Sequence, residues 1–223
     1  FFAHKYKVPM LPTGKLTIPL ESPTNQQLYV PAFTAAAEKS LALLNAHKQK
    51  IHAPAISVAV AIKGDLVWAG AVGWADIAQQ TPVSTNTQFR IGSTSKAVTA
   101  TALARLVDQG VIDLDSAIEN YIKPLPNVQY KTITPRQLAS HMAGLVHYKR
   151  VADTLGKYRL LALDKHYQTV QESLEIFDQT PLLFSPGEQF SYSSLGTVLL
   201  SAAMSGAADL PYLAVMQQQV FDP

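Results

Sequence analysis

Two short groups of residues in this chain have the types and spacing that nucleophilic catalysis needs. The first is Ser93–Lys96, with the sequence STSK, and the second is Tyr192–Ser194, with the sequence YSS, roughly a hundred residues later. A hydroxyl and an amine three positions apart lie on the same face of a helix, one turn from each other. An amine held away from water loses its proton more readily, so it can accept the proton of a serine hydroxyl. The first group therefore predicts a nucleophile at Ser93 with Lys96 as its base.

The residues around Ser93 favour this interpretation over a chance match. With 15 Ser and 13 Lys in 223 residues, about one such pair is expected at random. Phe89–Gly92 is irregular, and an Ala-rich helix is predicted to follow it, so Ser93 would lie at a helix N-terminus. There the backbone N–H groups and the helix dipole stabilise a nucleophilic oxygen or a developing oxyanion. If the group stood alone, Ser93 as a plain helix cap and Lys96 in solvent would be the better interpretation.

The second group strengthens the catalytic interpretation. Tyr192 is the one tyrosine of nine that is followed two positions later by Ser or Asn. It comes after a turn at Ser185–Gly187 and before a helix predicted from Leu195, which places its phenol and the Ser194 hydroxyl on a loop. In isolation, Tyr192 would be better interpreted as a half-buried core residue.

The composition excludes several other classes of function. Apolar residues make up 48% of the chain and charged residues 15%, which is typical of a globular protein. The net charge is +2 and no basic run exceeds two residues, so no nucleic-acid partner is predicted. The absence of cysteine excludes disulfides, thiol catalysis and Cys-ligated zinc. His141 and His147 do not have the spacing of metal ligands, so no metal site is predicted.

The hydrophobic pattern predicts three parts along the chain. Residues 1–30 are rich in proline and predict an extended N-terminal arm. Residues 31–73 predict the first helix and the hairpin of an antiparallel sheet, and residues 74–223 predict a mostly helical part that contains both groups. The individual elements predicted are helices at Pro31–Lys50, Thr94–Gln109, Pro135–Ala143, Val170–Thr180 and Leu195–Ala208, and a hairpin at Ala55–Gly70.

The segments around both groups resemble the class C β-lactamase-related serine hydrolases in order and approximate spacing. The matching segments are Phe89–Lys96, Ile112–Asp115, Leu138–Leu145 and Pro186–Ser194. That family includes penicillin-binding proteins, D-aminopeptidases, DD-carboxypeptidases and esterases, and Gly144–Tyr148 is most similar to its mitochondrial β-lactamase-like members. The resemblance covers roughly residues 51–223. It implies an α/β plus all-α architecture of the β-lactamase/transpeptidase type, in which helices flank an antiparallel sheet and a large helical insertion interrupts it.

The resemblance also implies a role for each candidate site residue. Ser93 corresponds to the acylated nucleophile, Lys96 to its proton acceptor and Tyr192 to a second proton-shuttling group. Ser194 occupies a substrate-binding position that is often Asn, and a hydroxyl reaches less far and cannot present an N–H and a C=O together. His141 is expected to be an internal hydrogen-bond partner. No metal or organic cofactor is implied.

The predicted function is that of a serine hydrolase that acts through an acyl-enzyme. Its substrate would be a small molecule or peptide with a peptide, amide, lactam or ester carbonyl. The alternative is a non-catalytic scaffold or assembly protein that retains the fold, and the departure at Ser194 favours that alternative. We expect an extracytoplasmic location, periplasmic or membrane-anchored and facing the periplasm. The opening residues 1–5 are consistent either with the stub of a removed signal or anchor or with a boundary unrelated to processing.

The sheet predicted from this sequence is incomplete. The third motif of the family, Lys-Thr-Gly or His-Thr-Gly, does not occur in the chain. The hairpin also presents alternate apolar side chains that two strands cannot cover, at Ile56, Val58, Val60 and Ile62. We therefore expect the C-terminal strands to lie outside this chain, and a C-terminal segment or a second chain to complete the sheet.

Overall fold

The structure, a computed structural model, describes residues 22–147 and 166–222. These residues fall into two compact units, which we call the sheet unit (residues 22–90) and the helical unit (residues 91–147 and 166–222). The division comes between Arg90 and Ile91, whereas the sequence pattern placed it after residue 73. The later division follows from the residues after 73, which return to the sheet as a short strand.

The sheet unit is an antiparallel sheet with one long helix. The strands are β1, β2, β3 and β4, and the helix α1 lies between β1 and β2. The order across the sheet is β1-β3-β2, and β4 pairs with the end of β3. The predicted helix and hairpin are confirmed. The bounds are Thr24–Leu28 for β1, Thr34–Lys50 for α1 after a 3-10 turn at Pro31–Phe33, Ala55–Ile62 for β2, Asp65–Asp76 for β3 and Thr81–Pro82 for β4.

The central strand β3 provides most of the core of the sheet unit. A two-residue turn at Lys63-Gly64 connects it to β2, and both residues have positive φ angles, 53° and 91°, as a tight hairpin turn requires. Trp68 and Val72 are buried on β3, and α1 packs against this strand. The Trp68 Nε1–H donates to Oε1 of Gln26 on the neighbouring β1 at 3.0 Å, so the buried indole is satisfied.

Strand β1 corrects the prediction of an unpaired N-terminal arm. Residues 24–28 were expected to be part of that arm, but they pair with β3 from Thr24 opposite Val72 to Leu28 opposite Trp68. Their sequence, TNQQL, has none of the apolar alternation that predicts a strand. Backbone pairing with β3 therefore makes these residues a strand, although their side chains do not have a strand pattern. Residues 1–21 of the predicted arm lie outside the described residues.

Strand β2 lies at an edge of the sheet. Within the described residues no strand pairs with its outer side. Its apolar side chains Val60 and Ile62 are 39% and 42% exposed, in line with the alternate apolar positions noted in the sequence.

The helical unit is built around one buried helix, α4. It contains α2 (Ser95–Asp108), α3 (Pro135–Ala139), α4 (Ser194–Ala208) and α5 (Tyr212–Met216). Helices α2, α3 and α5 pack against α4, which is buried along most of its length. The helices predicted at the positions of α2 and α4 are confirmed. Among the described residues no single helix is long and apolar enough to cross a membrane, and α4 followed by Tyr212–Phe221 meets that test only as a pair bent by 81°.

Two predicted helices are shorter than the pattern suggested. The helix predicted over Pro135–Ala143 ends at Ala139, because His141 has a left-handed φ of 60°. The helix predicted over Val170–Thr180 is only a 3-10 helix at Glu172–Ile176. Its buried residues Val170, Leu174 and Phe177 are spaced as on a helix face, which explains why the sequence pattern predicted a helix.

Helix α4 approaches the backbone of Tyr121 so closely that only glycine fits at residue 206. A Cβ added to Gly206 would overlap the Tyr121 carbonyl oxygen. We expect Gly206→Ala to lower the free energy of unfolding by roughly 1–3 kcal/mol in spite of the higher helix propensity of alanine, as measured by urea denaturation. Gly196→Ala in the same helix is the control, because a Cβ there would meet its nearest neighbour at an ordinary 3.6 Å. Equal stability of the two variants would contradict this packing.

Candidate active site

Ser93 lies on a short turn that leads into α2. Gly92–Thr94 form one turn of 3-10 helix, and α2 begins at the next residue. Gly92 has a φ of 54°, a left-handed conformation that glycine adopts without strain. The Ser93 side chain is exposed on this turn. Its hydroxyl Oγ is 2.8 Å from the Tyr192 hydroxyl, which brings together residues 99 positions apart.

Lys96 lies on the first turn of α2 and connects the two groups of residues. Its Nζ donates to the Ser93 Oγ at 3.2 Å and to the Ser194 Oγ at 3.2 Å. The same Nζ is 5.0 Å from the centroid of the Tyr192 ring, within the range of a cation–π contact. The predicted role of Lys96 as a base assumed an amine held away from water, but the Lys96 side chain is partly exposed. Lys96 is partly exposed because it is the second residue of α2, and the turn before α2 is exposed.

Ser193 fixes the positions of Tyr192 and Ser194 on either side of it. It is the N-cap of α4, and its Oγ accepts from the Gly196 N–H at 3.0 Å. The same hydroxyl donates to the Val146 carbonyl at 2.7 Å, and the residue is 3% exposed. An N-cap serine with both hydroxyl functions satisfied holds the chain direction at the helix start. The middle residue of the YSS group therefore has a structural role that its sequence alone did not reveal.

The surroundings of Tyr192 make its phenol more acidic than usual. Lys96 is the main cause that lowers the pKa of Tyr192, and the hydrogen bond with Ser93 lowers it further. The phenol is 38% exposed, and burial opposes this shift only in part. A phenol with a lowered pKa gives up its proton nearer to neutral pH, so its oxygen can accept a proton from a neighbouring hydroxyl.

Two histidines contact the same segment. The Ser193 backbone N–H donates to Nδ1 of His141 at 3.4 Å, and the Ser194 backbone N–H donates to Nδ1 of His147 at 3.3 Å. The prediction that His141 is an internal hydrogen-bond partner is confirmed. The contact of His147 was not predicted, although its spacing of six residues from His141 in one irregular segment was visible in the sequence.

The structure thus brings all four sequence-predicted site residues together. The hydroxyls of Ser93, Tyr192 and Ser194 surround the Lys96 amine, and each of these residues belongs to the helical unit. No group of three or more His, Asp or Glu side chains that could hold a metal ion occurs within residues 22–147 and 166–222. The arrangement has a hydroxyl that can act as a nucleophile and two adjacent groups that can exchange its proton.

Comparison with known proteins assigns the chain to a family. Residues 41–223 match the beta-lactamase family model, and the chain belongs to the beta-lactamase family. The predicted resemblance and the predicted β-lactamase/transpeptidase-like fold are confirmed. Proteins of the penicillin-binding and esterase types are among its relatives, so the family is one of serine hydrolases.

Three matches illustrate the range of this family. The chain is 29% identical to the mitochondrial serine beta-lactamase-like protein LACTB of Homo sapiens, over 85% of the chain and 46% of LACTB. It is 27% identical to penicillin-binding protein 4* of Bacillus subtilis (strain 168), over 75% of the chain and 36% of that protein. It resembles the solved structure of EstCE1, a hydrolase with promiscuous acyltransferase activity, with a TM-score of 0.65 and 28% identity over 84% of the chain and 52% of EstCE1. The chain therefore spans about half the length of these proteins or less.

The lowered pKa of Tyr192 gives a direct test of the site geometry. We expect Lys96→Met, which removes the ammonium but keeps the length of the side chain, to raise the pKa of Tyr192 toward its ordinary value. The measurement is a pH titration of phenolate absorbance in the full-length protein. Subtracting the titration of Tyr192→Phe isolates the signal of this tyrosine from the other eight. A Tyr192 titration that Lys96→Met leaves unchanged would show that the ammonium does not act on the phenol.

Proposed function

We propose that this chain carries the acyl-transfer site of a serine hydrolase, with Ser93 as the nucleophile. The single observation that carries the proposal is the convergence of three groups, in which the Ser93 Oγ lies 2.8 Å from the Tyr192 hydroxyl and 3.2 Å from the Lys96 Nζ. These distances are within the reach that a base needs to take a proton from a nucleophile. The substrate would be a small molecule or peptide with a peptide, amide, lactam or ester carbonyl.

The first step of the proposed reaction forms an acyl-enzyme. The Ser93 Oγ attacks the carbonyl carbon and its proton passes to the phenolate oxygen of Tyr192, 2.8 Å away. Lys96, as an ammonium, stabilises the phenolate that accepts this proton and donates a hydrogen bond to the Ser93 oxygen. When the tetrahedral intermediate collapses, the bond to the leaving group breaks and the leaving group takes the proton.

The second step releases the acyl group to water. A water molecule gives its proton to the Tyr192 oxygen and attacks the ester carbon. The ester bond to Ser93 then breaks, and the proton returns to the Ser93 oxygen. The products are a carboxylic acid and the enzyme in its starting state, so no metal or organic cofactor is needed in the proposal.

Ser194 has a more limited role in this proposal. Its hydroxyl accepts from the Lys96 Nζ at 3.2 Å and so orients the amine between the two proton carriers. An asparagine at this place would add an amide N–H and C=O that could bind a substrate amide, and a serine does not offer both. We infer that substrate binding at this position depends on a single hydroxyl.

The comparisons support the class of reaction more strongly than the substrate. The relatives include, by their names, a penicillin-binding protein and an esterase, and a solved structure is described as a hydrolase with promiscuous acyltransferase activity. Penicillins, esters and other acyl donors all present a carbonyl to a nucleophile. We propose the shared acyl-transfer chemistry for this chain.

Two further expectations remain proposals. We propose that a C-terminal segment or a second chain completes the sheet, which the exposed Val60 and Ile62 on the edge strand β2 support. We also propose an extracytoplasmic location, for which the match to a bacterial penicillin-binding protein is the support. The match to a mitochondrial protein makes localisation within mitochondria the competing outcome of a fractionation experiment.

Covalent labelling of Ser93 tests the proposed function. We expect a fluorophosphonate or a labelled penicillin to add covalently to the full-length protein, and Ser93→Ala to abolish the added mass in intact-protein mass spectrometry. Because Ser93 is exposed, the substitution should change the free energy of unfolding by less than about 1 kcal/mol.

Ser95→Ala is the matched control for this experiment. Ser95 lies two residues further along the same segment and its side chain has no part in the proposed reaction, so this variant should be labelled as fast as the parent. Labelling that persists in Ser93→Ala would show that the nucleophile is another residue. A folded parent protein that no acylating probe modifies would support the alternative of a non-catalytic scaffold.

A further inference from the structure

The first two backbone N–H groups at the start of α4 are bound by imidazoles. Ser193 N–H donates to Nδ1 of His141 at 3.4 Å, and Ser194 N–H donates to Nδ1 of His147 at 3.3 Å. The first N–H groups of a helix have no partner within the helix, so they need an acceptor from elsewhere. Two different histidines meet this need at successive residues.

The two imidazole rings also contact the ring of Tyr192. Its centroid is 4.5 Å from that of His141, at an interplanar angle of 46°, and 5.4 Å from that of His147, at 83°. Each histidine therefore touches the tyrosine with its ring and the following backbone with its Nδ1. The same two histidines therefore hold the segment at the Tyr192 ring and at the backbone N–H groups of Ser193 and Ser194.

An imidazole can accept at Nδ1 only when that nitrogen carries no proton. Acceptance at Nδ1 fixes the neutral tautomer with the proton on Nε2. A protonated ring would instead turn an Nδ1–H toward a backbone N–H, so that two donors would face each other. The contact is therefore formed by the neutral histidine and lost by the charged one.

We propose that His141 and His147 are paired positioning residues that hold Tyr192 and Ser194 toward Ser93 only while both imidazoles are neutral. The consequence for catalysis rests on the proposed function, whereas the contacts between the rings and the backbone do not. In this arrangement, protonation of either ring releases the segment and moves the phenol away from the nucleophile.

The positive charge of Lys96 favours the neutral form of His141, whereas a Tyr192 phenolate against both rings favours the charged form. Lys96 on α2 is the cation whose charge acts on His141, and Tyr192 is the titratable group that lies against both rings. The positive end of the α4 dipole is at Ser193 and Ser194 and disfavours an imidazolium there. Partial burial lowers the pKa of His141, Lys96 lowers it further, and the backbone hydrogen bond with Ser193 acts in the opposite direction without reversing the shift.

The sign of the pH dependence follows from these contacts. His141 has a lowered pKa in the folded protein, so it is more often neutral there than in the unfolded chain. Its contribution to stability is complete above the ordinary histidine range, at about pH 6.5, and is lost as the pH falls below it. The site should therefore lose its arrangement on the acid side of neutrality.

The tautomers can be measured without reference to catalysis. We expect long-range ¹H–¹⁵N spectra of the full-length protein at about pH 7.5 to show both His141 and His147 as neutral rings with the proton on Nε2. Single His→Asn variants assign the signals. A ring that is charged at this pH, or that carries its proton on Nδ1, would overturn the proposal whether or not the protein is labelled by any probe.

The pH profile of acylation tests the positioning role. We measure the second-order rate constant for fluorophosphonate labelling from about pH 5 to about pH 8, which spans the ordinary range of histidine. His141→Asn and His147→Asn place an amide oxygen near the former Nδ1 and remove the titration. In each variant the slope of the logarithm of the rate constant against pH on the acid side should fall by about one, because one fewer proton titrates. A slope of one corresponds to about a tenfold change in rate per pH unit.

The controls separate this role from a general effect of substitution. His52 is exposed and has a φ of 52°, similar to the 60° of His141, and asparagine tolerates this left-handed conformation. His52→Asn should therefore keep the parent's acid profile. His141→Ala and His147→Ala, which lack an acceptor, should be labelled on the order of tenfold more slowly than the corresponding Asn variants at about pH 8.

The possible outcomes distinguish the two proposals. If the parent protein is not labelled at any pH, the proposed function fails, and the tautomer measurement still decides the histidine contacts. If the parent is labelled and both Asn variants keep its acid profile, the positioning role is wrong while the proposed function stands. Ala variants that react as fast as the Asn variants would also overturn the positioning role.

Discussion

The cap at the start of α4 is the interaction on which the geometry of the site depends. Ser193 is buried there, accepting from the Gly196 N–H and donating to the Val146 carbonyl, and its backbone is extended with φ −138° and ψ 120°. In an extended segment the side chains of alternate residues point to the same side. Tyr192 and Ser194 therefore both face Lys96, while Ser193 between them faces the interior. A single buried hydroxyl thus fixes the direction of the two side chains that carry chemistry.

The second half of the site depends on how α2 packs against α4. Ser93 lies on the 3-10 turn that leads into α2 and Lys96 on the first turn of α2. The Thr99 hydroxyl on the next turn is 2.7 Å from the Tyr212 hydroxyl of α5. Helices α2 and α5 both pack on α4, so the two halves of the site share one core. The packing of these helices therefore sets the distances among the site hydroxyls. The loop between Pro186 and Tyr192 only has to lead into α4.

The sequence predicted the parts of the site that local spacing controls. Ser93 and Lys96 are three residues apart at the start of a helix that its Ala-rich sequence predicts. The turn before Tyr192 likewise predicts the start of another helix. It did not predict the exposure of Lys96 or the contacts of His147, because both depend on where a helix end lies relative to distant residues. Strand β1 was missed for a similar reason: its polar side chains give no strand pattern, and only pairing with β3 makes it a strand. Short irregular segments were over-predicted as helix where a left-handed residue, His141, ends the helix early.

The small residues of α4 have a consequence for how the protein responds to heat. Ala202 and Ala203 are fully buried, and Gly206 lies against the backbone of Tyr121, so the helix cannot slide or rotate without overlapping its neighbours. Sites carried by loops often lose their arrangement at temperatures where the rest of the protein is still folded. Here the residue that orients the site, Ser193, is the N-cap of a helix that is packed into the core. Loss of the site arrangement on heating and cooperative melting of the helical unit should therefore be one event, observed at one temperature.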